Sequence, residues 1–149
     1  MQIHFLYGTQ SGTAEFLCDH LASKLSNAHD VMVSSLDEVE PTSLDANSFY
    51  VLVSATFGSG ELPESAQAFS KALEEHKPDL TGIRFTVFGL GDRSFGETFN
   101  NGSQILMMQM LACNAEMTGE RGLHDASSTD LPQNIALPWL KEILKQLPA

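Results

Sequence analysis

Basic residues are scarce in this sequence. Eight Lys and Arg stand against 19 Asp and Glu in 149 residues, which gives a formal net charge of −11. None of the eight occurs before Lys24. Such an acidic excess argues against a nucleic-acid partner, because the phosphates of DNA and RNA would repel it. It fits encounters with basic partners, which opposite charge accelerates, and it fits simple solubility equally well.

Cysteines and long apolar runs are also few. Cys18 and Cys113 lie far apart without metal-ligand spacing, so buried free thiols are favoured over a disulfide or redox pair. The five histidines form no cluster in the sequence, and no metal site is predicted. The longest apolar run, 105–113, is interrupted by Gln109 and is too short to cross a bilayer. Without a leader-like start, we expect one domain over 1–149, in the cytoplasm and away from membranes.

Strand-length apolar runs alternate with longer helical patterns along the chain. Strands are predicted at 3–7, 31–35, 49–55, 85–90 and 115–123, and helices at 13–25, 65–75, 103–112 and 133–146. The buried face of the first helix is predicted to carry Phe16, Leu17, Cys18, Leu21 and Leu25. This alternation predicts an α/β fold with a doubly wound parallel sheet and helices on both faces. Ligands of such sheets bind beyond the carboxyl ends of the strands.

The loop after the first strand, residues 7–15, has the composition of a phosphate-binding turn. Glycines and hydroxyl residues stand between a strand and a helix start, where backbone N–H groups and the helix dipole favour an anion. A nucleoside-triphosphate loop is excluded because Thr13, and not Lys, follows Gly12. The spacing of Gly8 and Gly12 does not match a dinucleotide fingerprint. An ordinary turn with Ser11 or Thr13 as the N-cap remains an alternative.

Two further loops follow predicted strands three and four, at 55–63 and 89–95. Each places an aromatic residue, Phe57 or Phe95, in a glycine-bordered loop at a strand's carboxyl end. Two such rings on opposite sides of a crevice can sandwich a flat ligand, although either Phe alone could fold into the core. A phosphate cup between two aromatic rings indicates a site for a planar ring system that carries a phosphate.

The three loops together resemble those of the flavodoxin family. The sequence YGTQSGTAE at 7–15 is similar to the phosphate loop of the FMN domains of diflavin and sulfite reductases, and LGDRSF at 90–95 to the second flavin-contacting loop. The resemblance covers nearly the whole chain and is closest to the short-chain flavodoxins. It implies a five-stranded sheet in the order 2-1-3-4-5 and FMN as the cofactor.

The resemblance also implies a role for each loop residue. Hydroxyls and N–H groups of the first loop would bind the phosphate, Phe57 and Phe95 would cover the two ring faces, and the Gly58 carbonyl would accept a hydrogen bond from flavin N5. The FMN-binding residues implied in this way are Thr9, Gln10, Ser11, Gly12, Thr13, Ala14, Ala55, Thr56, Phe57, Gly58, Leu90, Gly91, Asp92, Phe95, Phe99 and Asn100. No catalytic side chain is expected, since the flavin itself is the redox centre.

The function implied is that of a low-potential carrier of single electrons and not that of an enzyme. A basic-surfaced flavodoxin or ferredoxin reductase would be the donor, other redox enzymes the acceptors, and the protein a monomer. An FMN-dependent quinone or azo reductase of the same fold is the alternative, although two covering Phe rings leave it little open ring face. A phospho-receiver is disfavoured because strand three ends in Ala55-Thr56 and lacks the required Asp.

Overall fold

A parallel sheet forms the centre of the molecule. The computed structural model describes residues 1–9, 12–56, 61–92 and 101–147. Its strands are β1 (Gln2–Gly8), β2 (Asp30–Ser35), β3 (Ser48–Ala55), β4 (Arg84–Gly91), β5 (Glu116–Met117) and β6 (Gly122–Asp125). They follow the order β2-β1-β3-β4-β5, and β6 also pairs with β4. The predicted strand order is therefore confirmed.

Helices connect the strands and cover both faces of the sheet. They are α1 (Thr13–Leu25), α2 (Glu64–His76), α3 (Asn101–Ala112) and α4 (Pro132–Lys145), and two short 3-10 turns, Leu36–Glu38 and Pro41–Ser43, lie between β2 and β3. Apolar side chains of α1 and α4 pack on one face and those of α2 and α3 on the other. No helix in the described ranges is long and apolar enough to cross a membrane.

Strand β3 is the most deeply buried element. Every residue from Ser48 to Ser54 is buried, which explains why the sequence here is a nearly continuous apolar run without polar alternation. Its register brings the carboxyl ends of four strands to one edge, pairing Gly8 with Ser54 and Ala55 with Leu90. Leu90 in turn pairs with His124 of β6. The loops after β1, β3, β4 and β6 therefore start side by side.

The fifth strand differs from its prediction. The segment 115–123 is divided into β5 and β6, which both run parallel to β4, so the described part of the chain forms six strands and not five. Gly119, between them, has a positive φ of 71°, a conformation that interrupts an extended strand. Beyond the break, Trp139 of α4 packs on Phe88 of β4 with ring centroids 5.2 Å apart. Its Nε1 donates to the Glu120 carbonyl at 3.0 Å.

The prediction of the buried face of α1 is wrong at one position. Leu17, Cys18, Leu21 and Leu25 are buried as expected, but 59% of Phe16 is exposed. Ala14 occupies the core position in the first turn, and Phe16 projects beside that face and stacks on His20 one turn later. Both Cys18 and Cys113 are buried free thiols, as predicted.

Candidate functional site at the carboxyl edge of the sheet

A cavity of about 490 Å³ opens at the carboxyl edge of the sheet. Its size lies within the range of roughly 300–1,000 Å³ that is typical of cofactor pockets. Residues that follow β1, β3, β4 and β6 surround it, as expected for a parallel sheet. The lining residues are Thr13, Ala55, Thr56, Leu90, Gly91, Asp92, His124, Ala126, Ser128, Thr129, Asp130, Leu131 and Pro132. Six of them, from Thr13 to Asp92, are among the residues predicted to bind FMN.

The start of α1 is shaped by glycine and not by a hydroxyl cap. The N-cap residue is Gly12, with φ +91°, so the alternative prediction of Ser11 or Thr13 as N-cap is wrong. Among the described residues, nothing lies within 4 Å of a Cβ built on Gly12, which means that the φ value, and not lack of space, favours glycine here. The Gly12 N–H donates to Thr9 Oγ1 at 2.8 Å, which closes the turn from inside.

Thr56 is anchored from two sides at the end of β3. Its backbone N–H donates to the Leu90 carbonyl at 3.0 Å, and its Oγ1 accepts from the Gly102 N–H, also at 3.0 Å. Gly102 allows this contact because a Cβ there would stand only 2.6 Å from the Ala55 carbonyl oxygen. The start of α3 is thereby fixed against the cavity wall that Ala55 and Thr56 form.

The prediction from sequence did not include one wall of the cavity, which is formed by residues of 124–132 at the end of β6 and after it. His124, which is 7% exposed, contacts the Asp130 carbonyl through Nε2 at 2.7 Å and closes the loop into a compact turn. The Ala126 N–H donates to the Gly91 carbonyl at 2.8 Å, which joins this turn to the end of β4. The rule that ligands bind beyond the carboxyl ends of parallel strands also applies to this segment. The predicted strand, however, ended at Leu123, and residues 124–132 contain no Gly, Phe, Tyr or Trp, the residue types that marked the other loops.

The electrostatics of the site are acidic. Asp92 and Asp130 line the cavity, and none of its described lining residues is Lys or Arg. Between β1 and α1, the Tyr7 hydroxyl donates to Glu15 Oε2 at 3.0 Å. Burial, followed by this hydrogen bond to the carboxylate, raises the pKa of Tyr7 to about 12. Among the described residues, the groups that can hold an anion at the start of α1 are therefore backbone N–H groups, hydroxyls and the dipole of α1.

Several predicted residues lie outside the described ranges. These are Gln10, Ser11, Phe57, Gly58, Phe95, Phe99 and Asn100. The described residues supply a helix N-terminus with Thr13 at one part of the cavity and the apolar side chains of Ala55, Leu90 and Leu131 at others. A phosphate suits the first environment and a flat ring the second, so the residues fit FMN.

A family model described as Flavodoxin matches residues 5–139. The chain belongs to the flavodoxin family. The protein MioC of Escherichia coli strain K12 is 32% identical over 138 residues, which cover 93% of this chain and 92% of MioC. NADPH-dependent diflavin oxidoreductase 1 of Emericella nidulans is 31% identical over 146 residues, which are 95% of this chain but 22% of that protein.

A solved structure also shows similarity to the flavodoxins. A cysteine-to-serine mutant of flavodoxin from Pseudomonas aeruginosa has a TM-score of 0.83 and 32% sequence identity over 99% of both chains. Flavodoxins bind FMN and transfer electrons, so FMN is the cofactor of this chain and electron transfer is its function. The family relationship therefore confirms the resemblance seen in the three loops.

Proposed function

We propose that this flavodoxin is a mobile carrier of single electrons with no substrate site of its own. The observation that supports this proposal best is the cavity itself, which joins a helix N-terminus to apolar walls and two carboxylates at a single sheet edge. FMN bound there supplies a ring that takes up and releases electrons one at a time. The protein's own groups bind and orient the ring and set the local charge.

Within this proposal, the residues divide by the part of FMN that they contact. Thr9, Gly12 and Thr13 hold the phosphate, Ala55 and Thr56 line the ribityl chain, and Leu90 to Asp92 meet the pyrimidine edge. The remaining predicted contacts, which lie outside the described ranges except for Ala14, are Gln10, Ser11, Ala14, Phe57, Gly58, Phe95, Phe99 and Asn100. The wall from His124 to Pro132 is added to these because it faces the same cavity.

Flavin uptake and turnover test the proposal directly. Purified protein should bind one FMN per chain, and the flavin released on denaturation should be FMN. With FMN bound and NADPH as the sole reductant, it should show no steady consumption of NADPH, but it should become reduced when a flavodoxin reductase is added. Steady turnover with a quinone or azo dye and no reductase would instead favour the oxidoreductase alternative. Failure to bind FMN would contradict the whole proposal.

The acidic rim suggests basic-surfaced redox partners. Asp130 is exposed at the cavity, whereas Asp30 is exposed at the amino end of β2, on the opposite edge of the sheet. Charge attraction at the flavin edge speeds docking, so higher ionic strength should slow electron transfer from a basic reductase. Asp130→Asn should weaken this salt dependence, and Asp30→Asn, which changes the same charge at the far edge, should leave it nearly unchanged. Equal effects of the two substitutions would contradict docking at the cavity.

Asp130 and Asp92 also bear on the second reduction step. Each electron adds negative charge to the flavin, and nearby carboxylates make that addition less favourable. Asp130→Asn should therefore make the lower of the two reduction potentials less negative. Asp30→Asn again serves as the control, measured by equilibrium titration with a reductant.

A further inference from the structure

Ser65 binds the backbone of Thr9 through two hydrogen bonds. The Thr9 N–H donates to Ser65 Oγ at 2.8 Å, and Ser65 Oγ donates to the Thr9 carbonyl at 3.1 Å. One hydroxyl can serve both groups because it has a single proton to donate and lone pairs to accept. Ser65 lies in the first turn of α2, 56 residues along the chain from Thr9. Nothing in the local sequence connects the two.

The first turn of α2 is also packed tightly against the end of β1. A Cβ built on Gly8 would stand 2.7 Å from Ala66 Cβ, 3.3 Å from Leu36 Cδ1 and 3.4 Å from Pro63 Cγ. Gly8 precedes Thr9, and Ala66 follows Ser65. The two hydrogen bonds therefore connect segments that packing already holds in contact, and such support limits how far Thr9 can move.

Thr9 is in turn hydrogen-bonded to the start of α1. Its Oγ1 accepts from the Gly12 N–H at 2.8 Å, and the Gly12 carbonyl accepts from the Phe16 N–H at 3.0 Å as the first helical hydrogen bond. In the Gly12 contact Thr9 Oγ1 is the acceptor, so the proton of that hydroxyl remains to be donated elsewhere. A continuous set of contacts thus runs from α2 through Thr9 to the N-terminus of α1.

We propose that Ser65 is a positioning residue for the FMN phosphate. By holding both backbone groups of Thr9, it keeps Thr9, and through Thr9 Oγ1 the Gly12 N–H, in position before FMN arrives. Pre-forming a loop raises affinity because less conformational freedom is lost on binding. This inference rests on the proposed function, which places the phosphate in that loop, and it adds a residue that does not itself touch the ligand.

Comparison of FMN with riboflavin, which lacks the phosphate, isolates this role. In Ser65→Ala the FMN Kd should rise about tenfold, the equivalent of ~1.4 kcal/mol, while the riboflavin Kd stays within about twofold. Ser65→Thr keeps the hydroxyl and should restore most of the FMN affinity. Ser70→Ala is the matched control, because Ser70 lies in the same helix and donates to Gln109 Oε1 at 2.8 Å, away from the cavity. It should leave the ratio of the two dissociation constants unchanged.

The outcomes separate this inference from the function on which it rests. If the wild type binds FMN more tightly than riboflavin and Ser65→Ala leaves both dissociation constants unchanged, the positioning role alone is overturned. Equal weakening of both flavins in Ser65→Ala would also overturn it, since that pattern indicates general loosening of the site. Wild-type protein that binds neither flavin would overturn the proposed function and this inference with it.

Discussion

Replacement of Gly102 by Ala should weaken both the fold and the cofactor site, although Gly→Ala within a helix ordinarily stabilises. The new Cβ would stand 2.6 Å from the Ala55 carbonyl oxygen and 3.2 Å from Thr56 Oγ1. Close carbon–oxygen contacts in proteins begin at about 3.3 Å, so α3 or the end of β3 must move by about 0.7 Å. The nearest obstacle is backbone, and a change of rotamer cannot relieve it.

Two opposing free energies decide the sign. Overpacking of a tight contact costs ~1–3 kcal/mol, while the higher helix propensity of Ala returns at most ~1 kcal/mol near a helix end. We therefore expect a net loss of ~0.5–2 kcal/mol in the free energy of unfolding. With a urea dependence of about 2 kcal/mol per molar, the unfolding midpoint of the apoprotein should fall by roughly 0.3–1 M.

The same movement should be visible at the cavity. Thr56 Oγ1 accepts from the Gly102 N–H and lines the cavity, so its displacement should raise the FMN Kd by up to about tenfold. Gln104→Ala, at an exposed position of the same helix, should shift stability by less than ~0.5 kcal/mol and leave FMN affinity intact. An unfolding midpoint equal to or above that of the wild type in Gly102→Ala would refute the argument.

Three further predictions follow from single residues. The folded state favours the neutral Tyr7 phenol, so this side chain contributes stability that is present below pH 10 and is lost between about pH 10 and pH 12. Tyr7→Phe should therefore lose less stability over this range, measured as the urea midpoint at each pH. Gly12→Ala and Gly82→Ala, at φ +91° and +88° with no described atom within 4 Å of either added Cβ, should each cost ~1–2 kcal/mol in urea unfolding. Only Gly12→Ala should also weaken FMN binding, and weaker FMN binding in both variants would count against a local role for Gly12. Burial raises the pKa of the Cys18 and Cys113 thiols, so a thiol-specific disulfide reagent should label both only after unfolding, and rapid native labelling would contradict this.

The parallel sheet and the position of the site were predictable from the residue pattern because both depend on strong, repeated signals, whereas the strand order came only from the resemblance to the flavodoxins. Strand β3 is a nearly continuous apolar run because it is covered on both faces, and its neighbours alternate with helices of ordinary length. Once the sheet is parallel, its carboxyl edge is determined, and the loops after β1, β3 and β4 must meet there. The predicted bounds of α1 agree with the structure at both ends.

The misses have local physical causes. Ser and Thr are favoured N-caps in general, but the left-handed turn before α1 selects Gly12 for that position. Gly119 divides the segment 115–123, which was predicted as a single strand. Ser65 could not be found from sequence, because its partner Thr9 is distant along the chain and a single serine gives no periodic signal. The wall after β6 lacked the glycine and aromatic residues that marked the other loops.

The origin of the cavity walls has a consequence for how the protein is made. Its described lining comes from four places, at Thr13, at 55–56, at 90–92 and at 124–132, and the last of these is synthesised after the other three. During synthesis, a chain that stops short of β6 lacks one side of the cavity, even when β1, β3 and β4 have paired. Complete capture of FMN must therefore follow assembly of the whole sheet. Since a ligand that binds only the native state shifts the folding equilibrium toward it, FMN stabilises the finished fold without stabilising its precursors.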